Sequence, residues 1–249
     1  NLTLMVGSCA RTEILVGQLG LAQLAESHVL IAGLGGVGGA CAEALCRAGI
    51  GEITLVDFDI IAKTDLNRQL VALHSTLGQS KVDVLYERLH DINPDTVINQ
   101  EHLFIDRVEA EAIAHDEDLT FVADCIDAIA YKTVLIDTCN RNGMPIISSM
   151  GAGGRLDPTK VKISRMDKTQ NCGLAREMRK QLRNIRASLK FPVVHSTEIQ
   201  IKALPHQQVT ETKLAPAGRP RAVNGAISYM PNIFGLMMAG HIIQEILKK

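Results

Sequence analysis

Two hydrophobic periods alternate through the first half of this chain. Short, mostly apolar runs at 29–32, 52–56 and 119–124 read as strands buried on both faces. Residues 15–26, 37–48 and 130–142 instead repeat their apolar positions every three to four residues, as amphipathic helices do. A helix over 81–93 stops at Pro94, which cannot continue it. A strand over 97–103, an acidic helix over 108–115 and a strand over 145–150 complete the alternation. Strands separated by helices of this length predict a mostly parallel, doubly wound α/β sheet, because each parallel pair needs a long crossover.

After Gly151, Gly153 and Gly154 the pattern loosens. A strand over 160–165 leads into a basic helical stretch over 173–189 and a strand over 193–202. A proline-punctuated segment, 204–221, precedes an apolar helix over 233–247. No internal repeat is present. The change near residue 150 is one of role within a single domain, 1–249, rather than a linker between two.

Composition narrows the function classes. With 46% hydrophobic residues the chain buries an ordinary core, and aromatics at 3% without Trp argue against base stacking as a main nucleic-acid device. Net charge is −1, yet its distribution is uneven: 83–127 carries thirteen acids against Arg88 and Arg107. Across 157–190 ten Lys and Arg face only Asp157, Asp167 and Glu177. That block fits an RNA backbone, with Arg176, Arg179, Lys180 and Arg183 as the candidates, or equally a solvated helix face. The six cysteines form no CxxC pair, which excludes a zinc knuckle built from two such pairs. Cys41, Cys46 and Cys125 read as core thiols. No apolar run is long enough to span a bilayer, and a cytoplasmic setting is expected, a mitochondrial one staying open.

The chemistry concentrates early. Gly33, Gly35, Gly36 and Gly38 follow an apolar strand and open a helix, a backbone cradle for anionic oxygens. Helix–strand close packing explains one such glycine but hardly four. Asp57 ends the next strand, placed for a ribose whether the ligand is a dinucleotide or ATP. Arg68 and Lys81 separate those ligands, since they suit a triphosphate and a departing pyrophosphate and have no use in a dry hydride-transfer pocket. Asp127, at the carboxyl end of a later strand, is a magnesium anchor or the N-cap of the helix over 130–142. His195 reads as a strand histidine near the surface.

Arg11 to Glu13, the glycine loop from Gly33 to Gly38, Asp57 to Asp59, Asn67 to Gln69, Gly78 to Lys81, Ile92 to Pro94 and Asp124 to Asp127 together resemble the ThiF/MoeB-type adenylating superfamily. The resemblance implies a Rossmann-like sheet with an elaborated C-terminal part, ATP as the nucleotide and Mg2+ as the metal. By position, the loop holds phosphates, Asp57 the ribose, and Asn67, Arg68 and Lys81 the phosphates, with Asp59 and Gln69 in the same ATP-binding set. Asp127 would bind magnesium, and Arg11 would reach the ATP of a partner subunit, implying a homodimer. Residues 1–150 are then the nucleotide-binding half, and 151–249 face the substrate.

The second half resembles one branch. Gly151 to Pro158, Asp167 to Thr169, Cys172 to Arg179, and Gly225 to Pro231 with Gly235 are similar to the tRNA threonylcarbamoyladenosine dehydratases. Gly173 stands where that family's pattern has Pro. The implied reaction is ATP-dependent cyclisation of threonylcarbamoyladenosine at adenosine 37 of a tRNA through an acyl-adenylate, with a sulfur-relay protein as a further partner. Three alternatives remain at this level: adenylation of the terminal glycine of a sulfur-carrier or ubiquitin-like protein, an NAD-dependent oxidoreductase, and a non-catalytic nucleotide-binding partner.

Overall fold

In the computed structural model, residues 9–202, 204 and 225–248 are described. Helix α1 (Ala10–Ala25) is two helical pieces meeting at Gly17, whose φ of 73° breaks the regular turn. Then follow β1 (His28–Ala32), α2 (Gly36–Ala48), β2 (Glu52–Val56), α3 (Lys81–Ile92), β3 (Val97–Glu101), α4 (Arg107–Ala114), β4 (Phe121–Asp124), α5 (Ile129–Asn142) and β5 (Ile146–Ser149). The second half adds β6 (Val161–Arg165), α6 (Gly173–Asn184), β7 (Pro192–Ser196) and α7 (Tyr229–Ile246). The seven strands lie in the order β3-β2-β1-β4-β5-β7-β6, all parallel except β6, which runs against β7.

Both faces of the sheet are covered, which is why its central strands read as unbroken apolar runs. Val29 and Ile31 of β1 join one core with residues of α2, α3 and α7, such as Leu45, Leu85 and Phe234. Leu30 and Ala32 point the other way, into a second core with Ala110 of α4, Leu135 of α5 and Met178 of α6. Each fully buried Leu, Ile or Phe contributes roughly 1.5–3 kcal/mol relative to an exposed one. Helices α2 and α7 approach closely because Gly235 carries no side chain; a Cβ there would lie 2.1 Å from the carbonyl oxygen of Val37.

Two elements end five or six residues before their expected bounds. Helix α6 ends at Asn184 instead of running to 189, since Arg186 turns left-handed (φ 59°) and Ala187 N–H returns to the Leu182 carbonyl. Strand β7 stops at Ser196, where the Glu198 N–H bonds the Ser196 hydroxyl at 3.1 Å and the Glu198 carboxylate accepts from Leu156 and Asp157 N–H. Helix α7 starts earlier than expected, with Pro231 in its first turn, where the missing N–H costs nothing. Of the segment 204–221, all but Leu204 lies outside the described residues.

Candidate nucleotide-binding site

The strand order reverses direction at β1, whose chain continues to β2 on one side while β4 flanks it on the other. A crevice outside the carboxyl ends of β1 and β4 is where such sheets take ligands. The glycine loop occupies that crevice, and its four glycines have different reasons. Gly33 sits at φ 89°, and a Cβ there would press on the Cys125 carbonyl at 3.0 Å. A Cβ on Gly38 would fall 1.8 Å from the Gly33 oxygen, and one on Gly36 would meet Pro231 at 2.9 Å. Only at Gly35 is there room, the nearest atom being Gln69 Nε2 at 3.8 Å. The expectation that packing explains one glycine is therefore corrected: it accounts for three. Gly35 is itself the cap residue of α2, and having no side chain it offers no acceptor to the first-turn N–H groups.

Asp57 ties the loop to β2. It is almost fully buried, its Oδ2 accepting from Leu34 N–H at 2.6 Å and its Oδ1 from Phe58 and Asp59 N–H at 2.8 and 2.9 Å. Two residues on, Asp59 pairs with Lys81 Nζ at 3.1 Å, the ammonium enclosed and the carboxylate partly exposed. Lys81 reaches this position because Ser80 caps α3 by accepting from Asp83 N–H, fixing the first helical residue beside the site.

The loop between these residues folds on buried Asp65. Its Oδ1 accepts from Gln69 Nε2 at 2.8 Å and pairs with Arg68 at 3.5 Å, while Oδ2 takes Ala62 N–H. Arg68 also donates to the Thr64 carbonyl and to Asn67 Oδ1, and Asn67 Nδ2 donates to the Ala226 carbonyl at 2.9 Å. The site residues of the first and last thirds of the chain are thus bound together. The buried Gln69 Oε1 finds no partner among the described residues, on the amide whose Nε2 is the nearest atom to a Cβ built on Gly35.

At the end of β4 lies a pair that motif reading missed. Lys132 and Asp124 are both sealed from solvent, Nζ to Oδ2 at 2.8 Å. Ser148 donates to the same oxygen at 2.6 Å, and Lys132 also donates to the Ile126 carbonyl at 2.9 Å. A signal existed: Lys132 occupies the apolar register of α5 with Leu135, Ile136 and Cys139, all buried. The clamped turn carries Asp127 to an exposed position. The cap position of α5 is Ala128, one residue after Asp127.

Elsewhere the candidates divide. On α6, Arg176, Lys180 and Arg183 are exposed, whereas Arg179 turns inward and donates to the carbonyl and hydroxyl of Thr169. His195 is not near the surface as expected: β7 is covered on both faces and leaves it fully buried, its Nε2 2.8 Å from Ser164 Oγ. Arg11 is exposed on α1. Its neighbour Cys9 lies 3.1 Å from where a Gly49 Cβ would stand, so α1 starts at the C-terminal end of α2. The glycine loop is at the other end of that 13-residue helix, about 20 Å away. Among the six free cysteines, burial pushes the thiols of Cys41 and Cys139 up to about 12 and that of Cys125 well above its usual value. Among the described residues no helix is long and apolar enough to cross a membrane.

Comparison with known proteins agrees with this fold. The ThiF family model matches residues 10–249. The tRNA threonylcarbamoyladenosine dehydratase of Bacillus subtilis is 38% identical over 98% of this chain and 96% of its own length. The Escherichia coli enzyme of that name is 32% identical over 96% and 92%. The molybdopterin-synthase adenylyltransferase of E. coli is 37% identical, but over only 54% of this chain. The crystal structure of the E. coli dehydratase in complex with ATP superposes with a TM-score of 0.84, covering 97% of this chain and 94% of that one at 30% identity.

Proposed function

This chain belongs to the ThiF family, and from that membership joined to the site's geometry we propose an ATP-dependent tRNA threonylcarbamoyladenosine dehydratase. The observation that carries the reading is continuity: likeness to the dehydratases runs through both halves of the chain, whereas likeness to the sulfur-carrier branch covers about half. The unoccupied first-turn N–H groups of α2 at Gly35, the Arg68 guanidinium and the Lys81 ammonium suit a triphosphate.

The chemistry begins with a carboxylate whose oxygen leaves only once a phosphoryl-type group is attached. The substrate's threonyl carboxylate attacks the α-phosphorus of ATP, forming a C–O–P linkage and releasing pyrophosphate. A nitrogen or oxygen of the modification itself then attacks the activated carbonyl carbon, closing a ring and expelling AMP, so the nucleoside loses one water overall. The attacking atom is already tethered, and such intramolecular arrangements reach effective molarities of about 10⁵–10⁸ M. No enzyme thiol is needed, which suits cysteines held protonated by burial.

The protein's share is charge stabilisation and placement. Arg68 and Lys81 exchange their internal partners for phosphate oxygens, Asn67 follows Arg68, and Asp57 keeps the glycine loop in register with β2. Asp127 would hold magnesium, whose usual habit is one or two carboxylates with substrate phosphates and water completing the shell. Bound there, the ion would neutralise charge on the polyphosphate.

Arg11 belongs to a homodimer in this reading. It stands a helix length from its own glycine loop, and α1 exposes Ile14, Leu15 and Leu19 at 85–86%, an apolar strip that a second copy would cover. Arg176, Lys180 and Arg183 meet the tRNA backbone. The decisive experiment incubates the protein with ATP, magnesium and tRNA bearing uncyclised threonylcarbamoyladenosine, then weighs the nucleosides. Loss of the mass of one water is expected; an unchanged mass with ATP consumed only when a carrier protein is added would overturn the reading.

A further inference from the structure

The far end of α6 opens onto a cavity of about 450 Å³ between α4, α5 and the turn that follows α6. Its lining includes Arg107, Asn140, Arg141, Arg186 and Ser188. Arg141 is engaged, with Asp137 at 3.0 Å and Glu111 at 3.3 Å. Arg107 and Arg186 have no carboxylate partner among the described residues. The Asn140 Nδ2, sealed from solvent, finds no acceptor among the described residues. Arg107 and Arg186 are exposed, so their two guanidinium groups without a carboxylate partner, beside an unsatisfied amide, make this hollow a cationic surface suited to an oxyanion.

The backbone is shaped to deliver one of those groups. Arg186 is held in the left-handed region at φ 59°, a conformation that a residue with a side chain adopts at a cost. The return bond from Ala187 N–H to the Leu182 carbonyl fixes it there. The exposed cations Arg176, Lys180 and Arg183 recur four and three residues apart and share one face of α6, and Arg186 follows three further on.

That face has a direction. Helix α6 begins at the carboxyl edge of the sheet, where Cys172 Sγ is 3.6 Å from a Cβ built on Gly151, just past β5. It ends before β7, which runs parallel to β5 and so starts at the opposite edge. Twelve residues make about 18 Å of cationic face from the catalytic edge to the cavity.

We propose that this cavity is a phosphodiester subsite for the RNA backbone, the far anchor of a track along α6. The inference rests on the tRNA reading above. Its occupant is a backbone phosphate rather than a free nucleotide: the carboxylates of the cavity, Glu111 and Asp137, are engaged by Arg141, and no aromatic ring lines it for a base.

The test uses the full chain and fluorescently labelled tRNA, with binding followed across a salt series. One double variant, R107Q with R186G, empties the cavity of its free cations, and glycine takes the left-handed turn without strain. A second, R176Q with R183Q, strips the helix face. Melting temperature verifies that both fold. Removing one cation that neutralises a phosphate makes the slope of log K against log salt shallower by about 0.7–0.9. The cavity variant should therefore bind about tenfold more weakly near physiological salt, with a slope shallower by about 1.4–1.8. If the helix variant weakens binding while the cavity variant matches the wild type in affinity and slope, the subsite is overturned and the tRNA reading stands. Weakened binding with an unchanged slope would mark a structural effect and also overturn it. A rise in melting temperature with inorganic phosphate, beside unchanged tRNA binding, would make it a free-anion site instead. A wild-type chain that binds no tRNA removes both proposals together.

Discussion

Two lysine–aspartate pairs stand at the carboxyl edge of the sheet, and they resolve the same electrostatic problem in opposite ways. Lys81 and Asp59 are 3.1 Å apart with the carboxylate partly open to solvent, so the ammonium can trade one oxygen partner for another. Lys132 and Asp124 are 2.8 Å apart with nothing exposed, and the ammonium is further tied to the Ile126 carbonyl. A sealed pair gains Coulomb energy but carries a desolvation cost that can cancel it. Its return is therefore geometric: it fixes the turn that presents Asp127 and that floors the glycine loop at Cys125. The open pair works on the ligand, and the closed pair holds the frame.

The sharpest way to break that contrast is to remove each ammonium in turn. Lys132→Met leaves Asp124 buried and charged, and breaking a buried pair in this way costs about 3–5 kcal/mol, read as a fall in denaturant midpoint. Adding Asp124→Leu to the same chain should recover much of that loss, because the orphaned charge is gone. A Lys132→Met protein as stable as the wild type would contradict the assignment of Lys132 to the frame.

Next in size are losses at the open pair and its neighbour. Arg68→Ala and Lys81→Ala should each lower turnover by about 10²–10³-fold, the usual effect of deleting one preorganised charge-stabilising donor, while the melting temperature moves little. The signature is the reverse of that at Lys132. A Lys81→Ala protein that cycles at the wild-type rate would show that its ammonium serves Asp59 alone.

The glycine loop allows a finer separation within three residues. Gly38→Ala forces a Cβ onto the Gly33 carbonyl and should destabilise the fold, whereas Gly35→Ala meets nothing closer than 3.8 Å. Gly35→Ala should keep its melting temperature and lose about tenfold in ATP affinity, or ~1.4 kcal/mol, measured by calorimetry. Unchanged affinity would move the phosphates elsewhere.

How much of this was legible beforehand follows from what each feature depends on. Strand–helix alternation and the positions of Asp57, Arg68 and Lys81 are local, so period and spacing were enough. The roles of Gly36 and Gly38 depend on Pro231 and on the loop's own carbonyl, neighbours that spacing along the chain does not encode. Asn67 bonds Ala226, more than a hundred residues away, which no local pattern announces. Lys132 was readable in principle, since a cation in an apolar helical register has to find a buried partner. The end of α6 was not: residues up to 189 favour a helix, and the left-handed turn at Arg186 is a tertiary choice.

His195 marks the weakest of the expected effects and a third kind of buried polar group, one with neither an ionic partner nor a ligand. Its Nδ1 is sealed without a partner among the described residues. Burial, with Lys162, Arg155 and Arg179 nearby, lowers its pKa below the usual 6.5. The unfolded chain therefore takes up a proton near that value while the folded chain resists, so the unfolded state binds more protons as pH falls. The stabilisation is complete above about 6.5 and is lost progressively as pH drops from there toward the folded value. His241 on α7 is lowered too, chiefly by burial, and adds to the slope with the same sign. Denaturant unfolding between pH 7.5 and 5 should accordingly show stability falling with acid, and His195→Gln should flatten that fall without abolishing it. An identical slope in the variant would mean that the imidazole takes its proton in place, with Ser164 turning its hydroxyl oxygen to accept it.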